Sequence, residues 1–275
     1  MNKKLAVLLT CHNRKDKTYS CLKSLHSSSL PENVMFDVFL VDDGSTDGTS
    51  NIVKENFPEV NIIQGSGELY WNRGMHLAWS VASSKNDYDF YLWLNDDVEL
   101  LPNAVNEMLA VCHDGESIVV GNMLQRNENR LTYGGWTASG KLIIPTGNPE
   151  LCETFNGNLV LIPKKAFKIL GNLDPQFPHA IGDFDYALRA KKNGVKSYIA
   201  PNYSGICDDH SLPKWCLSEV SLINRIKSLY SPLGNAHPVY YFKFTKRHYG
   251  IFNAVKQFVA IHLRLLIPRL WKQKV

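Results

Sequence analysis

A short apolar segment that ends in two adjacent carboxylates constrains the fold of this chain more than any other feature. Residues 38–41 read Val-Phe-Leu-Val, a run typical of a strand buried on both faces, and Asp42, Asp43 and a glycine follow at once. Ligands of open α/β sheets bind at the carboxyl ends of the strands, so acids at such an end indicate a functional site. Asp47 is expected to cap the next helix, through about Phe57, which leaves Asp42 and Asp43 without a structural role.

The order of segments along the chain extends this pattern. Strand-like and helix-like stretches alternate through roughly residue 120, which predicts right-handed βαβ units and a mainly parallel sheet flanked by helices. Between Gly121 and about Pro163, short strands with glycine turns predict a small antiparallel addition over the ligand edge of that sheet. Helical periodicity returns at residues 164–170 and 183–193. The fold class is therefore α/β.

The net charge of +4 conceals a sharp division of charge along the chain. All 26 acidic residues lie at or before Glu219, whereas ten basic residues and no acidic one follow from Val220 onward. We therefore expect a domain over residues 1–219 and a basic helical extension over residues 220–275. Such an extension indicates an anionic partner, either a membrane or a nucleic acid, and it carries no recognised nucleic-acid motif.

One helix of the extension is predicted to be amphipathic. A helical projection of residues 251–267 places on one broad face the side chains of Ile251, Phe252, Val255, Phe258, Val259, Leu263 and Leu266. Polar and basic side chains lie opposite, and Pro268 ends the helix. The helix either docks on the core or lies in the interface of an anionic inner leaflet, and the absence of acids favours the second interpretation.

The remaining composition indicates a cytoplasmic protein that is peripheral at the inner face of the membrane. We expect no signal peptide, because only six apolar or small residues separate Lys4 from Cys11, and no uninterrupted apolar stretch reaches the roughly 18 residues that span a bilayer. The six cysteines have no Cys-x-x-Cys spacing, so reduced thiols are expected rather than disulfides or a zinc site.

Two further acidic clusters follow predicted elements. An apolar strand over residues 88–94 ends at Asn95-Asp96-Asp97, where one acid can cap the helix that begins near Pro102, although that role explains both acids poorly. At Gly182-Asp183-Phe184-Asp185, the spacing to Arg189 predicts an i,i+4 ion pair with Asp185. Spacing alone leaves Asp183 equally suited to capping a helix and to catalysis.

These motifs, in this order, resemble those of family-2 glycosyltransferases with the GT-A fold. The motifs are Thr10-Cys11-His12-Asn13-Arg14, where the family often has Thr-x-Tyr-Asn-Arg; Val41-Asp42-Asp43-Gly44-Ser45; Asn95-Asp96-Asp97 at the Asp-x-Asp metal motif; and Gly182-Asp183-Phe184-Asp185 at a Glu-Asp-x-Asp helix start. Gly65 to Trp71 is similar to a variant of the rhamnosyltransferase-like branch. The resemblance implies a nucleotide-binding half over residues 1–120 and an acceptor-binding half over residues 121–219.

The resemblance also implies roles for single residues. Asp183 aligns with the base that deprotonates the acceptor hydroxyl. Asp97 would bind a divalent cation, Mn²⁺ or Mg²⁺, and Asp96 would contact the ribose or the water shell of the metal. His210 would complete the metal site, with Asp208 and Asp209 as alternative ligands that the sequence does not rank.

The donor side is assigned in the same way. By resemblance, Thr10, His12 and Arg14 would contact the nucleotide, Trp71 would face the sugar, and Arg73 would lie near the diphosphate. Asp43 would read the nucleobase, since a carboxylate accepts a hydrogen bond from the imide N–H of uracil or thymine. Cytosine is disfavoured at such a carboxylate, and guanine is not.

Taken with the resemblance, the sequence predicts an inverting, metal-dependent glycosyltransferase. It would use a UDP- or dTDP-sugar and a lipid-linked or polysaccharide acceptor in bacterial surface-glycan (O-antigen or capsule) synthesis. One alternative is a module that binds nucleotide sugar or glycan without turnover, which the departures at Asn95 and Gly182 keep open. Another is a sugar-phosphate nucleotidyltransferase, against which the lack of a Gly-rich, Arg-containing loop near the start of the chain counts.

Overall fold

The computed structural model describes residues 2–112, 115–209, 212–234 and 236–271. Its strands are β1 (Lys3–Cys11), β2 (Val34–Asp42), β3 (Asn61–Gln64), β4 (Phe90–Leu94), β5 (Glu99–Leu100), β6 (Ile118–Leu124), β7 (Leu131–Tyr133), β8 (Gly135–Trp136), β9 (Thr154–Phe155), β10 (Leu159–Pro163) and β11 (Ser197–Ile206). Its α-helices are α1 (Lys15–His26), α2 (Thr49–Asn56), α3 (Tyr70–Lys85), α4 (Ala104–Val111), α5 (Lys164–Leu170), α6 (Gly182–Lys192), α7 (Leu222–Leu229), α8 (Pro238–Tyr249) and α9 (Ile251–Leu266). Short 3₁₀ turns occupy Lys214–Cys216 and Pro268–Leu270.

One central sheet organises the chain. Its strand order is β3-β2-β1-β4-β10-β6-β11-β5, and β7 pairs with β6. The pairs β2–β3, β1–β2 and β1–β4 are parallel, as is the β6–β11 pair. Strand β10 lies between β4 and β6 and runs antiparallel to both. The predicted α/β class with a mainly parallel sheet is confirmed, and the carboxyl ends of β1, β2 and β4 meet at one edge.

The antiparallel addition is smaller than the sequence pattern indicates. Only β8 and β9 form a separate antiparallel sheet within the described residues. Most of β6 and all of β10 fall in the region assigned to the addition, yet both strands belong to the central sheet. The reason is their apolarity: all five residues of β10 are buried, which suits a strand covered on both faces.

Helices cover both faces of the sheet and leave its carboxyl edge open. Along β1, Leu5, Val7 and Leu9 pack in one core cluster with residues of α1, α2 and α4. Ala6 and Leu8 point to the opposite cluster, which α3, α5 and α6 complete. This period of two is the pattern of a strand buried on both faces, and it fixes which strand ends reach the site.

The basic extension packs against the domain that precedes it. Arg247 on α8 binds Asp185 and Asp174, at 2.7 Å each, and Phe244 packs with Phe177 and Ile181. The face of α9 that is buried carries Ala254, Ile261 and Leu265, whereas all seven residues of the predicted apolar face are exposed. No helix in the described part of the chain is long and apolar enough to cross a bilayer.

Candidate active site

A cleft of about 2060 Å³ opens where β1, β2 and β4 end. Its lining includes Thr10 at the end of β1, His12 and Arg14 after it, Asp43 after β2, and Asn95, Asp96 and Asp97 after β4. Trp71 on α3, the loop at residues 156–158 and Asp183 on α6 line the same cleft, as do residues of the extension. The fold therefore brings together most of the residues that the sequence singled out.

Asp43 is buried beneath the cleft and holds the loop before α3. Its Oδ1 accepts the Gly67 N–H (2.7 Å), and its Oδ2 accepts those of Leu69 (2.8 Å) and Tyr70 (3.0 Å). The Asp43 carbonyl accepts a hydrogen bond from Nδ1 of His12 at 2.6 Å, which makes Nδ1 the protonated nitrogen of that ring. Among the described residues, Oδ1 has one donor, the Gly67 N–H, which leaves a lone pair for a ligand N–H.

Asp42 and Asp47 shape the turn that follows β2. Asp42 accepts the Ser45 N–H at 2.9 Å and the Ser50 hydroxyl, and Asp47 accepts the Thr49 N–H at 3.0 Å at the start of α2. Gly48 occupies the N-cap position of α2, so Asp47 stands one residue before the predicted cap and satisfies the first N–H of the helix from there. The expectation that Asp42 and Asp43 lack structural partners is wrong, because backbone N–H groups at a tight turn need acceptors and these carboxylates provide them.

The positive charge of Arg14 offsets part of the negative charge of Asp96 and Asp97, the carboxylate pair that follows β4. Nη1 of Arg14 lies 2.7 Å from Oδ2 of Asp97 and 3.2 Å from Oδ1 of Asp96. The other oxygen of Asp97 faces Sγ of Cys207 at 3.6 Å, and that of Asp96 faces the Thr18 hydroxyl at 3.5 Å. Burial raises the pKa of Asp96 to about 7, although the charge of Arg14 opposes this shift.

The donor set suits a divalent cation that binds together with a phosphorylated ligand. Mg²⁺ in proteins is commonly held by one or two carboxylates, substrate phosphates and water, and Asp96 and Asp97 provide such carboxylates. No group of three or more His, Cys, Asp or Glu side chains that could hold a metal occurs among the described residues. When both carboxylates are ionised, as binding of a cation requires, they leave one negative charge beyond that of Arg14, and a further cation would offset the repulsion of this charge by a diphosphate.

Trp71 connects the carboxylate pair to Asp183. Its indole Nε1 donates to Oδ1 of Asn95 at 2.6 Å, and its ring packs on the backbone of Gly157, where a Cβ would lie 2.5 Å from the ring. The N–H of Gly157 in turn donates to Oδ2 of Asp183 at 2.9 Å. Asn95, which departs from the family motif, thus has a definite role, because its amide oxygen orients the tryptophan.

Asp183 stands at the first turn of α6 and faces the cleft. Its Oδ1 accepts the Phe184 N–H at 2.9 Å, in addition to the bond from Gly157. Burial raises the pKa of Asp183 to about 6, and the two N–H donors reduce that shift. A carboxylate with this pKa is ionised near neutral pH and is more basic than an exposed aspartate.

Gly182 is required by the close approach of α3 to α6. A Cβ at this position would lie 1.8 Å from Oδ1 of the fully buried Asn72. Nδ2 of Asn72 donates to the carbonyls of Asp174 and Phe177, which lie in the loop before α6. The departure at Gly182 is therefore paired with a second side chain that fills the space.

Asp185 ties α6 to the extension. Its Oδ2 accepts from Nε of Arg189 at 2.9 Å, the predicted i,i+4 pair, and its Oδ1 accepts from Arg247 (2.7 Å) and His248 (2.8 Å). Although burial opposes it, these donors lower the pKa of Asp185 below its usual value. The side chain is fully buried, so Asp185 positions the helix that carries Asp183.

The remaining predicted residues are placed less favourably. The structure does not bring Arg73 to the cleft lining; its Nε donates to the Pro175 carbonyl at 2.9 Å. His210 lies outside the described residues. Of its two alternatives, Asp208 accepts the Arg126 N–H at 2.8 Å, and Asp209, which lines the cleft, pairs with Arg130 at 2.9 Å.

Strained backbone surrounds the site. Ile181, two residues before Asp183, has φ of +79°, which is rare for a β-branched residue. Positive φ also occurs at Asn13, between His12 and Arg14, and at Tyr70, next to Trp71. Such conformations persist only where the surrounding contacts enforce them, and they concentrate at ligand sites.

Sequence reasoning missed the wall of the cleft that the extension forms. Residues of this wall are Asn224, Lys227, Ser228, Tyr241 and Phe244, and Lys214 before the extension also lines the cleft. The charge division identified the extension, but no local pattern signalled that it faces the cleft. His179 was also missed; its Nδ1 accepts the Trp71 N–H at 3.4 Å.

Comparison with known families identifies the class of protein that shares these features. A family model described as glycosyl transferase family 2 matches residues 6–170, more than half of the chain. A search of proteins with curated functions found no significant match.

Several solved structures share the fold. TarS of S. aureus, residues 1–349 with UDP-GlcNAc, has a TM-score of 0.59 at 15% identity and covers 94% of this chain and 81% of that chain. Against a longer TarS structure, this chain spans about half (49%) of the relative, with a TM-score of 0.58 at 14% identity and 94% of this chain covered. The mannosyltransferase PcManGT of Pyrobaculum calidifontis, with GDP-Man and Mn²⁺, has a TM-score of 0.56 at 16% identity and covers 98% of this chain and 72% of that chain. The structure of GalNAc-T7 with UDP, GalNAc and Mn²⁺ has a TM-score of 0.59 at 16% identity and covers 96% of this chain and 57% of that chain.

Proposed function

Because this chain belongs to glycosyl transferase family 2, we propose that it moves a sugar from a nucleotide-diphosphate donor to an acceptor hydroxyl with inversion at the anomeric carbon. The observation that carries this proposal is the continuous set of contacts along the cleft floor. Asp96 and Asp97 lie at one end, Asp183 lies at the other, and Trp71 joins the two through Asn95 and Gly157. A donor sugar placed over Trp71 would have its diphosphate at one acidic site and the attacking hydroxyl at the other.

The proposed chemistry is a single displacement. Asp183 accepts the proton of the acceptor hydroxyl while that oxygen bonds to the anomeric carbon. The bond from this carbon to the diphosphate oxygen breaks, and the nucleoside diphosphate leaves with the electron pair. Since the hydroxyl attacks from the side opposite the leaving group, the configuration at the anomeric carbon inverts.

A divalent cation, Mn²⁺ or Mg²⁺, is part of the proposal. When bound, it would neutralise the charge that develops on the leaving diphosphate. Asp97 would hold it beside Asp96, and His210, Asp208 or Asp209 would complete the site. The supporting observations are the carboxylate pair itself and the Mn²⁺ in the structures of PcManGT and GalNAc-T7.

The donor is proposed to be a UDP- or dTDP-sugar. The support is the lone pair on Oδ1 of Asp43, which suits the imide N–H of uracil or thymine. UDP-GlcNAc and UDP occupy the TarS and GalNAc-T7 structures, whereas PcManGT holds GDP-Man, and a carboxylate accepts from guanine as well. A comparison of UDP, dTDP and GDP therefore belongs in the test.

The acceptor is proposed to be lipid-linked or a polysaccharide, in surface-glycan synthesis at the inner face of the cell membrane. The basic extension supports this location. The alternative of a binding module without turnover rested on Asn95 and Gly182. Asn95 orients Trp71 and Gly182 accommodates Asn72, so neither departure from the family motif indicates a decayed site.

Thermal unfolding with a panel of nucleotide sugars, with and without Mn²⁺, tests the proposal. A ligand at about 100 times its Kd stabilises the fold by about 2.7 kcal/mol, which is measurable as a shift of several degrees. The stabilising sugar nucleotide is then incubated with membranes that contain acceptors, and release of the nucleoside diphosphate is followed. Binding without release would favour the binding module, and no stabilisation by any nucleotide sugar would overturn the proposal.

A further inference from the structure

Helix α7 of the extension separates the cleft from an apolar outer surface. Asn224, Lys227 and Ser228 line the cleft, and Arg225 and Leu229 are buried. The third side of the helix is exposed although it is apolar, with Leu222, Ile226 and Ile223, of which Ile223 is 67% exposed. A helix that borders a cleft on one side and shows isoleucine and leucine to solvent on another lacks a partner on that second side.

The exposed side of α7 continues onto α9. On α9 the exposed apolar residues recur at helical spacing and include Phe252 (89% exposed), Val255, Val259, Leu263 and Leu266. The hydroxyl of Tyr230, the residue directly after α7, lies 2.8 Å from Nε2 of His262, and Arg225 donates to the Leu265 carbonyl at 2.7 Å. The docking surface is defined here as Leu222, Ile223 and Ile226 of α7 with these five residues of α9.

The positive charge around the docking surface favours an anionic partner. No acidic residue occurs from Val220 onward in the sequence, and Lys227 on α7, Lys256 on α9 and Arg269 in the turn after α9 are exposed. A second copy of the chain would bring the same positive charge to the contact and be repelled. An apolar stripe flanked by cations matches an anionic bilayer, where side chains enter the acyl boundary and lysines meet the headgroups.

The cleft end beside α7 suits an anionic group attached to an apolar chain. Lys214 and Lys227 line it, and neither has an ion-pair partner in the part of the chain that the structure describes. Hydroxyl groups of Ser221, Ser228 and Ser231 lie along the same wall, Leu233, Tyr241 and Phe244 supply apolar lining, and Glu219 is an acidic neighbour. Unpaired lysines next to apolar side chains favour an amphiphile over a neutral soluble glycan.

We propose that the docking surface inserts into an anionic bilayer and that the acceptor is an amphiphile bearing a phosphate, which passes from the bilayer across α7 into the cleft. Its phosphate pairs with Lys214 and Lys227, and its hydrocarbon chain stays along Leu222, Ile223 and Ile226. The assignment of this amphiphile as acceptor rests on the proposed function. The bilayer contact does not, because it follows from α7 and α9 alone.

Vesicle flotation of the full chain tests the docking surface. The wild type is expected to float with vesicles of mixed phosphatidylcholine and phosphatidylglycerol and much less with phosphatidylcholine alone. Ile223→Ser with Ile226→Ser is expected to lower the partitioning roughly tenfold or more, since two apolar side chains no longer enter the membrane. The matched control is Met35→Ser with Ile144→Ser, two exposed apolar residues outside the extension, and it should bind like the wild type. Equal partitioning of both double variants, or no preference for anionic vesicles, overturns the proposal.

Calorimetric titration with dodecyl phosphate below its micellar concentration tests the anionic end of the cleft. Dodecyl phosphate is expected to bind more tightly than inorganic phosphate or dodecanol, because both its parts contact the protein. Lys227→Gln should weaken it by roughly tenfold, as expected for one charge-assisted contact, whereas Lys243→Gln on α8 should not. Equal binding of inorganic phosphate, or no effect of Lys227→Gln, contradicts the amphiphile. Neither experiment involves sugar transfer, so failure here and failure of the proposed function are separate results.

Discussion

Replacement of Asp183 by asparagine tests the proposed base with little change in side-chain volume. Turnover is expected to fall at least ~10²-fold, the usual cost of removing a general base. Nucleotide binding should persist, because the residues proposed to contact the nucleotide lie at or directly after the carboxyl ends of β1, β2 and β4, whereas Asp183 stands on α6. The assay is release of nucleoside diphosphate, with donor binding measured separately by thermal shift.

The raised pKa of Asp183 predicts a pH profile for the same reaction. Burial raises this pKa to about 6, and only the ionised carboxylate accepts a proton. The wild-type kcat/KM should therefore rise with pH through about 6 and change roughly tenfold per unit below that value. The residual activity of Asp183→Asn should lack this step, whereas Glu219→Gln, which removes another acid of the cleft, should retain it.

The same group makes stability depend on pH in an unusual direction. The pKa of folded Asp183 lies above the ordinary value of 3.8, so the folded state holds the proton more tightly than the unfolded state. Asp183 therefore lowers the free energy of unfolding as pH rises from about 4 to about 6, by about 1.4 kcal/mol per unit of pKa difference, or about 3 kcal/mol in all. The two oxygens of Asp183 accept the N–H groups of Gly157 and Phe184, and the single amide oxygen of asparagine cannot replace both acceptors. The loss lowers the free energy of unfolding by about 1–3 kcal/mol at any pH.

The pH dependence separates these two effects. The difference in unfolding free energy between wild type and Asp183→Asn should fall by about 3 kcal/mol between about pH 4 and about pH 7, whatever its constant offset. Urea unfolding at several pH values measures it. A flat difference would refute the raised pKa, and near-wild-type transfer by the variant would remove Asp183 from the mechanism.

Three further predictions concern the proposed cation site and α6, the helix that carries the proposed base. Asp97→Ala is expected to abolish the extra stabilisation that Mn²⁺ gives to the donor complex, and full wild-type activity in EDTA would refute the metal role. Arg14→Gln is expected to tighten Mn²⁺ binding roughly tenfold without nucleotide, because it removes a competing cation; calorimetry with MnCl₂ that finds equal affinities contradicts this. Gly182→Ala is expected to lower the free energy of unfolding by about 1–3 kcal/mol, since the methyl group would overlap Asn72. If the cost is unchanged in an Asn72→Ala background, the overlap is not its cause.

The sequence by itself determined the layout of the fold and where its acids would lie. Apolar runs before Asp42 and before Asp96 predicted buried strands, and both strands end at the cleft. This inference succeeds because parallel strands place their carboxyl ends at one edge of the sheet, so a motif at each strand end implies proximity without knowledge of packing. The i,i+4 pair of Asp185 and Arg189 was predictable for a similar reason, since helical geometry alone brings these side chains together.

Tertiary structure alone decided which partner each site residue has. Arg14 reaches Asp97, 83 positions away, and Asn95 binds Trp71 across 24 positions. Sequence periodicity reports neighbours within one element and carries no signal for such pairs. The family resemblance, which is read from the same local motifs, assigned Arg73 to the diphosphate, whereas in the fold Nε of Arg73 donates to the Pro175 carbonyl.

The extension shows the same division most clearly. The sequence determined that α9 is amphipathic and basic, because both properties follow from side chains at helical spacing. Packing decided that the smaller face with Ala254, Ile261 and Leu265 is buried and that the larger apolar face stays exposed. It also placed α7 at the rim of the cleft, since Arg247 and His248 converge on the buried Asp185 and draw the extension onto α6. A buried carboxylate needs hydrogen-bond donors, and for Asp185 one of them comes from Arg247, 62 positions along the chain, which only the tertiary structure brings near.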